Sequence, residues 1–195
     1  MQIDYANYFW QNDKVRLRKA TADDWEAFYA NCFDSQARFF LDNLIELPRD
    51  AQNAKELWIN FIEKASTDKN FAFAIETLDG TYVGSAFLNS INERNGTFGI
   101  GLVMEKACRG QGLGTAAMRI LLNYAFNERR LNKYNGFVVE GNLASEHMLK
   151  KLGMTHEGVR RETIFHKGEY LNEIHYGITA KEFNAIKDCV NNGRN

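Results

Sequence analysis

The chain has 195 residues, 45% of them hydrophobic, which is enough for one well-buried domain and short for two. Its 24 Lys and Arg nearly balance 25 Asp and Glu, so the molecule as a whole has no field to draw nucleic acid or anionic lipid, and without a long apolar run, a leader or a lipidation pattern no membrane role is expected. Three widely spaced cysteines, Cys32, Cys108 and Cys189, fit neither a disulfide framework nor paired zinc ligands, so reduced thiols in a cytoplasm and no metal are expected.

Residues 1–13 are a polar and aromatic lead-in, and the domain is expected over 14–190. Val15 and Leu17 alternate with Lys14, Arg16 and Arg18, as in a strand with one buried face. Thr21 and Asp24 have the spacing of a capping box, and Trp25, Phe28, Tyr29 and Cys32 follow at helical period. After Pro48, a second helical stripe runs through Ala54, Leu57, Trp58, Phe61, Ile62 and Ala65, with residues 34–50 left as loop. Two helices therefore precede the second strand, Phe71 to Ile75. Asp79-Gly80 then suits a tight hairpin turn into a strand over Tyr82 to Leu88. A polar turn, Asn92 to Gly96, precedes a strand over Thr97 to Val103, in which Phe98, Ile100 and Leu102 share one face and Gly99 and Gly101 the other.

From Leu113 the helical stripe is the strongest in the chain: Leu113, Ala116, Ala117, Ile120, Leu121, Tyr124 and Ala125. A short strand, Gly136 to Val139, follows. Asn142 can then cap a helix that runs to Leu152 and ends at Gly153. Strands over Val159 to Phe165 and Tyr170 to Ile178 turn about Lys167-Gly168, and residues 180–190 close the chain as a helix.

The segment that carries chemistry is Arg109-Gly110-Gln111-Gly112-Leu113-Gly114-Thr115, between a strand and the long helix. The first N–H groups of a helix have no internal partners and stand at the positive end of its dipole, so phosphate oxygens bind there. Gly112 and Gly114 let the main chain approach an anion, while Arg109 and Thr115 add charge and a hydroxyl. A Walker loop would need lysine before Thr115, and there is none. A Rossmann turn would open a doubly wound unit, whereas this one lies mid-chain after an antiparallel meander.

Arg109-Gly110-Gln111-Gly112-Leu113-Gly114 matches the acetyl-coenzyme A motif of the GNAT superfamily of N-acetyltransferases: Gln or Arg, two residues, Gly, one residue, Gly or Ala. Asn142-Leu143-Ala144-Ser145, Lys150-Lys151-Leu152-Gly153-Met154 and Glu157-Gly158-Val159-Arg160 resemble the corresponding run in the branch of ribosomal-protein N-terminal acetyltransferases, RimJ and RimL. The resemblance covers roughly residues 14–185. It implies an α+β fold: one domain with a mixed, mostly antiparallel central sheet of about seven strands flanked by helices.

The resemblance also implies a mechanism, direct attack of an amine on the acetyl group of acetyl-CoA as donor cosubstrate. Leu102, Val103 and Met104 would pair with the pantetheine arm, residues 109–115 would hold the pyrophosphate, and Asn142 would touch the coenzyme. Many relatives place a tyrosine acid seven residues after the Asn, where this chain has Leu149. In the branch it most resembles, the acid falls on Ser145. The base positions hold Gly99 and Ile164, leaving Glu162, two residues before Ile164 on the same strand face, and then Glu140 as candidates. His166, His175 and Cys108 read as structural or exposed groups, since direct transfer needs no acyl-enzyme.

A site without a strong base suits an amine that deprotonates easily. At pH 7 a peptide α-amine costs roughly 1–1.4 kcal/mol to deprotonate and a lysine-like amine about 4.6 kcal/mol. The preferred acceptor is therefore a protein or peptide N-terminus. A polyamine, amino sugar or antibiotic is the alternative, and a non-catalytic acyl-CoA-binding module is a third reading. The assembly expected is a monomer or homodimer.

Overall fold

A computed structural model of the chain describes residues 3–65 and 69–192, with side chains as far as residue 187, so the side chain of Cys189 lies outside the described part. Seven strands form one sheet in the order β1-β2-β3-β4-β5-β7-β6. They are β1 (Val15–Lys19), β2 (Phe71–Thr77), β3 (Tyr82–Asn92), β4 (Thr97–Met104), β5 (Lys133–Val139), β6 (Thr155–His166) and β7 (Glu169–Thr179). All neighbours are antiparallel except β4 and β5. The flanking helices are α1 (Trp25–Asn31), α2 (Ser35–Asp42), α3 (Ala51–Lys64), α4 (Leu113–Asn123), α5 (Leu143–Lys151) and α6 (Ala180–Asn192).

The lead-in belongs to the packed fold. Trp10 lies against Phe73 and Tyr124, with ring centroids 5.0 and 4.5 Å apart, and Asn12 Nδ2 donates to the Ala116 carbonyl at 2.9 Å. These residues also change the reading of β1, where Arg16 is buried along with Val15 and Leu17. Arg16 lies 3.5 Å over the Tyr5 ring and donates to Gln11 and to the Leu78 carbonyl, so both faces of the strand are covered.

The Thr21–Asp24 capping box is present and opens a short 3-10 turn, Ala22–Asp24, ahead of α1. The two helices expected before β2 are three, because Ser35–Asp42, read as loop, is α2. Its signals are an Asp34 carboxylate accepting from the Ala37 N–H and Asn43 stopping the helix at φ 60°. At eight residues the helix is too short to show a clear apolar period. β3, β5 and β6 are also longer than expected, and the last turn of the α4 run, Tyr124–Glu128, is π-helical.

One apolar core spans the sheet from Leu17 and Phe73 through Phe98 and Tyr134 to Tyr176, and α4 seals it with Ala117, Leu121 and Leu122 fully buried. Among the described residues, no helix is long and apolar enough to cross a membrane and no cluster of His, Cys, Asp and Glu could hold a metal ion.

Candidate active site

The parallel strands β4 and β5 pair only at Thr97 with Lys133 and Phe98 with Tyr134. Beyond that point they part, although β4 stays paired to β3 as far as Met104 and β5 to β7 as far as Val139. The cleft-side edge of β4 thus offers backbone groups without a strand partner, the condition for an extended ligand to add itself as a strand. The opening has a volume of about 470 Å³ and is lined from β4 by Gly99, Gly101 and Leu102, from β5 by Asn135 and Phe137, and from α5 by Asn142, Ser145 and Leu149.

At the wide end of this cleft, Gly110 and Gly112 turn the chain at φ 77° and 78°, left-handed values that favour glycine. Gly112 is the N-cap of α4 and supplies no side-chain cap. Among the described residues, the N–H groups of Leu113, Gly114 and Thr115 meet no acceptor. Gly114 presses against Leu102, whose Cδ2 would stand 3.2 Å from a Cβ there. Lys14 Nζ stands 3.6 Å from the place of a Gly112 Cβ, a cation beside three unsatisfied donors. Sequence reasoning missed Lys14, because only the fold brings β1 beside the turn.

Arg109 is not aimed freely at this site. Its guanidinium pairs with Asp34 at 2.8 Å and donates from Nε to the Met104 carbonyl at 3.0 Å, tying the turn to α2 and β4. The Ala37 N–H, more than Arg109, holds the Asp34 carboxyl below its ordinary range, against a smaller opposing effect of burial. Of the three β4 residues expected along the pantetheine arm, Leu102 lines the cleft, the Met104 carbonyl is already taken by Arg109, and Val103 pairs with Ser85 of β3.

Asn142 caps α5, its carboxamide oxygen accepting from the Ser145 N–H at 3.3 Å. Ser145 is half-buried on the cleft wall, and Leu149 is buried one turn further on. Opposite, the Asn89 Oδ1 of β3 stands 2.8 Å from where a Gly99 side chain would begin, so a carboxamide fills the place of the missing acid. Glu162 is not brought to the cleft. It is exposed at φ 54° in a bulge where Arg160 to Ile164 spans only Glu173 to Leu171 on β7, so the alternation that put it on the face of buried Ile164 is broken. Glu140 is exposed and accepts from the Asn172 backbone and side chain. His166 stacks on Phe39 of α2, with ring centroids 3.6 Å apart, His175 contacts Glu173, and Cys108 packs half-buried against the core. Among the described residues no Asp or Glu lines the cleft.

The missed wall is α2, which contributes Phe40 and Leu41. It is anchored at one end by Asp34 on Arg109 and in the middle by Phe39 against Val139 and Ile164.

The sequence matches the acetyltransferase (GNAT) domain over residues 14–155. It is 31% identical over 175 residues to the SPbeta prophage-derived uncharacterized N-acetyltransferase YokL of Bacillus subtilis (strain 168), covering 90% of this chain and 95% of that one. The fold is similar to that of spermidine N-acetyltransferase from Vibrio cholerae in complex with CoA and spermine, with a TM-score of 0.77 at 18% identity over 88% of this chain and 99% of that one. It is also similar to RimL, a ribosomal α-N-protein acetyltransferase in complex with coenzyme A, with a TM-score of 0.75 at 16% identity over 86% and 95% of the two chains. At such identities these two likenesses speak to fold.

Proposed function

The chain belongs to the GNAT acetyltransferase family and is an acetyl-CoA-dependent N-acetyltransferase, and from that premise we propose that its acceptor is the α-amine of a peptide or protein N-terminus. The observation that carries this reading is the absence of carboxylates from the described lining of the cleft, whose polar side chains are those of Asn89, Ser90, Thr97, Asn135, Asn142 and Ser145 together with the Tyr134 phenol. A polycation would enter without a counter-charge, and a lysine-like amine would have no base within reach. An α-amine gives up its proton at a cost of roughly 1–1.4 kcal/mol at pH 7, which water can meet.

In this reading the N–H groups of Leu113, Gly114 and Thr115 hold the pyrophosphate, supported by Lys14, with Gly110 and Gly112 shaping the approach and Gln111 and Arg109 bracing the turn. Leu102 and its strand neighbours guide the pantetheine arm along β4, and Asn142 bounds the cleft where that arm ends. Asn89 and Asn135 offer carboxamides to the amine, and Ser145 offers its hydroxyl to the departing sulfur. Glu162 is assigned no contact with the reacting atoms.

Steady-state assays with peptides of varied N-terminal residue and with spermidine, spermine and amino sugars test the reading. A higher kcat/KM for any polyamine or sugar than for every peptide would overturn it. Ser145→Ala should lower turnover while leaving acetyl-CoA affinity nearly unchanged, and equal loss of both would show that this hydroxyl makes no contact special to the departing sulfur.

A further inference from the structure

Tyr134 is the last residue of β5 to pair with β4 before the strands part. It is 4% exposed, its ring meets Phe98 edge-on at 5.9 Å, and it lines the cleft. Among the described residues its hydroxyl has no hydrogen-bond partner, an expensive condition for a buried phenol. The ring lies along its own strand over Gly136, where any Cβ would overlap the hydroxyl, so the glycine makes room for the phenol to point into the widening cleft. Among the described residues the buried side-chain atom left sealed and unpaired is Asn43 Oδ1, not the Tyr134 hydroxyl, which keeps an open edge on the cleft. On the α5 wall of the cleft, buried Leu149 offers no hydroxyl.

We propose that Tyr134 is a catalytic residue whose hydroxyl meets the thioester sulfur and delivers the proton that coenzyme A carries away, an inference that rests on the acetyl-transfer reading of this cleft. The acceptor nitrogen forms its bond to the acetyl carbon, the carbon–sulfur bond breaks, and its electron pair goes to sulfur. Sulfur takes the Tyr134 proton. The phenol oxygen regains one from the acceptor nitrogen, now cationic, through water, so the products are the amide and the free thiol. Burial pushes the Tyr134 hydroxyl up to about 12, which keeps it protonated at neutral pH and makes a lasting phenolate unfavourable, so giving and regaining the proton are coupled. Ser145, on the α5 wall of the same cleft, donates a hydrogen bond that orients the sulfur, and the proton that the sulfur takes comes from Tyr134 on the strand side.

The test is Tyr134→Phe, which keeps the ring packed on Phe98. It should lower kcat about 100-fold and leave the KM for acetyl-CoA within about twofold, while a phenol that serves packing alone would leave kcat unchanged. A second readout needs no acceptor. The thiol of bound coenzyme A, titrated by thiolate absorbance, should ionise about one pH unit lower in wild type than in Tyr134→Phe, since a donor to the thiolate favours it. Equal thiol titration and equal kcat would overturn the proposal. A wild type that binds coenzyme A and acetylates no peptide would overturn the acceptor assignment alone, with the thiol titration still judging Tyr134. Failure to bind coenzyme A would overturn both.

Discussion

Gly112 holds φ 78° at the start of α4, with Lys14 Nζ 3.6 Å from the position a side chain would take. A valine there would be strained in the left-handed region and would cover the N–H groups behind it. Gly112→Val should abolish the thermal stabilisation of the protein by acetyl-CoA, and a retained shift would move the pyrophosphate site elsewhere. The turn and the start of α4 are legible in the sequence because glycine spacing and a helix start are local features. Arg109 was only half legible, since its partner Asp34 lies 75 residues away in sequence and nothing local announces the pair. Alternation alone puts Glu162 on the face of Ile164, but a bulge, invisible to alternation, resets the register of β6 between Arg160 and Ile164. Asp24 shows the same mixture: its capping role is read from Thr21, its pairing with Arg18 only from the fold. Burial works to raise the Asp24 carboxyl, but Arg18 and the Thr21 N–H outweigh it and hold it below its ordinary value. A carboxyl lowered by folding adds stability above its unfolded value and loses it as pH falls through the folded one. Asp24→Asn should therefore cost about 1–2 kcal/mol near pH 7, discounted for the partly exposed Arg18, and almost nothing in acid well below about pH 4. Denaturant melts at the two pH values check this; a cost that persists in acid would assign it to lost capping.

At the scale of elements, α2 and the first half of β5 were not legible, for opposite reasons. In α2 the cap at Asp34 and the stop at Asn43 are plain, but Phe39, Phe40 and Leu41 are consecutive and serve two surfaces, Phe39 facing the β6–β7 hairpin and the next two facing the cleft. In β5 the expected strand begins only at Gly136, a residue with little strand preference, yet the glycine is there because the Tyr134 phenol occupies its side-chain space. Position in the fold, not local preference, selects both. Phe39 is 2% exposed between Val139, Ile164 and His166, so Phe39→Ala should destabilise the protein by about 3–5 kcal/mol if the site cannot collapse. In the proposed site α2 walls the acceptor side and α4 holds the pyrophosphate, so the same substitution should raise the KM for the amine more than that for acetyl-CoA. Equal increases would mean that α2 supports the whole cleft through Arg109 rather than its acceptor half.

For the whole molecule, the order of strands and helices was legible because short elements of alternating type, punctuated by Asp79-Gly80, Asn92–Gly96 and Gly153, leave few ways to build one sheet. The opening between β4 and β5 is written in no local pattern, since no run of residues states that two adjacent strands pair at two positions and then separate. The shared core from Leu17 to Phe183 still runs beneath both sides, so the sheet should unfold as one cooperative unit while one edge of β4 remains open to water. Acetyl-CoA at about a hundred times its Kd should add about 2.7 kcal/mol, a rise in Tm of roughly 5–11 °C for a chain of this size. Where that stabilisation is felt distinguishes an added strand from a ligand held by its phosphates alone. In the free protein, alternate amides between Gly99 and Met104 should exchange with solvent faster than those that face β3, because only the latter have a strand to bond. Acetyl-CoA should erase the difference, whereas adenosine diphosphate, which has the pyrophosphate but lacks the arm, should leave it. If exchange along β4 is already uniform without ligand, its edge is not open, and the pantetheine contacts assigned to Leu102 and its neighbours fail.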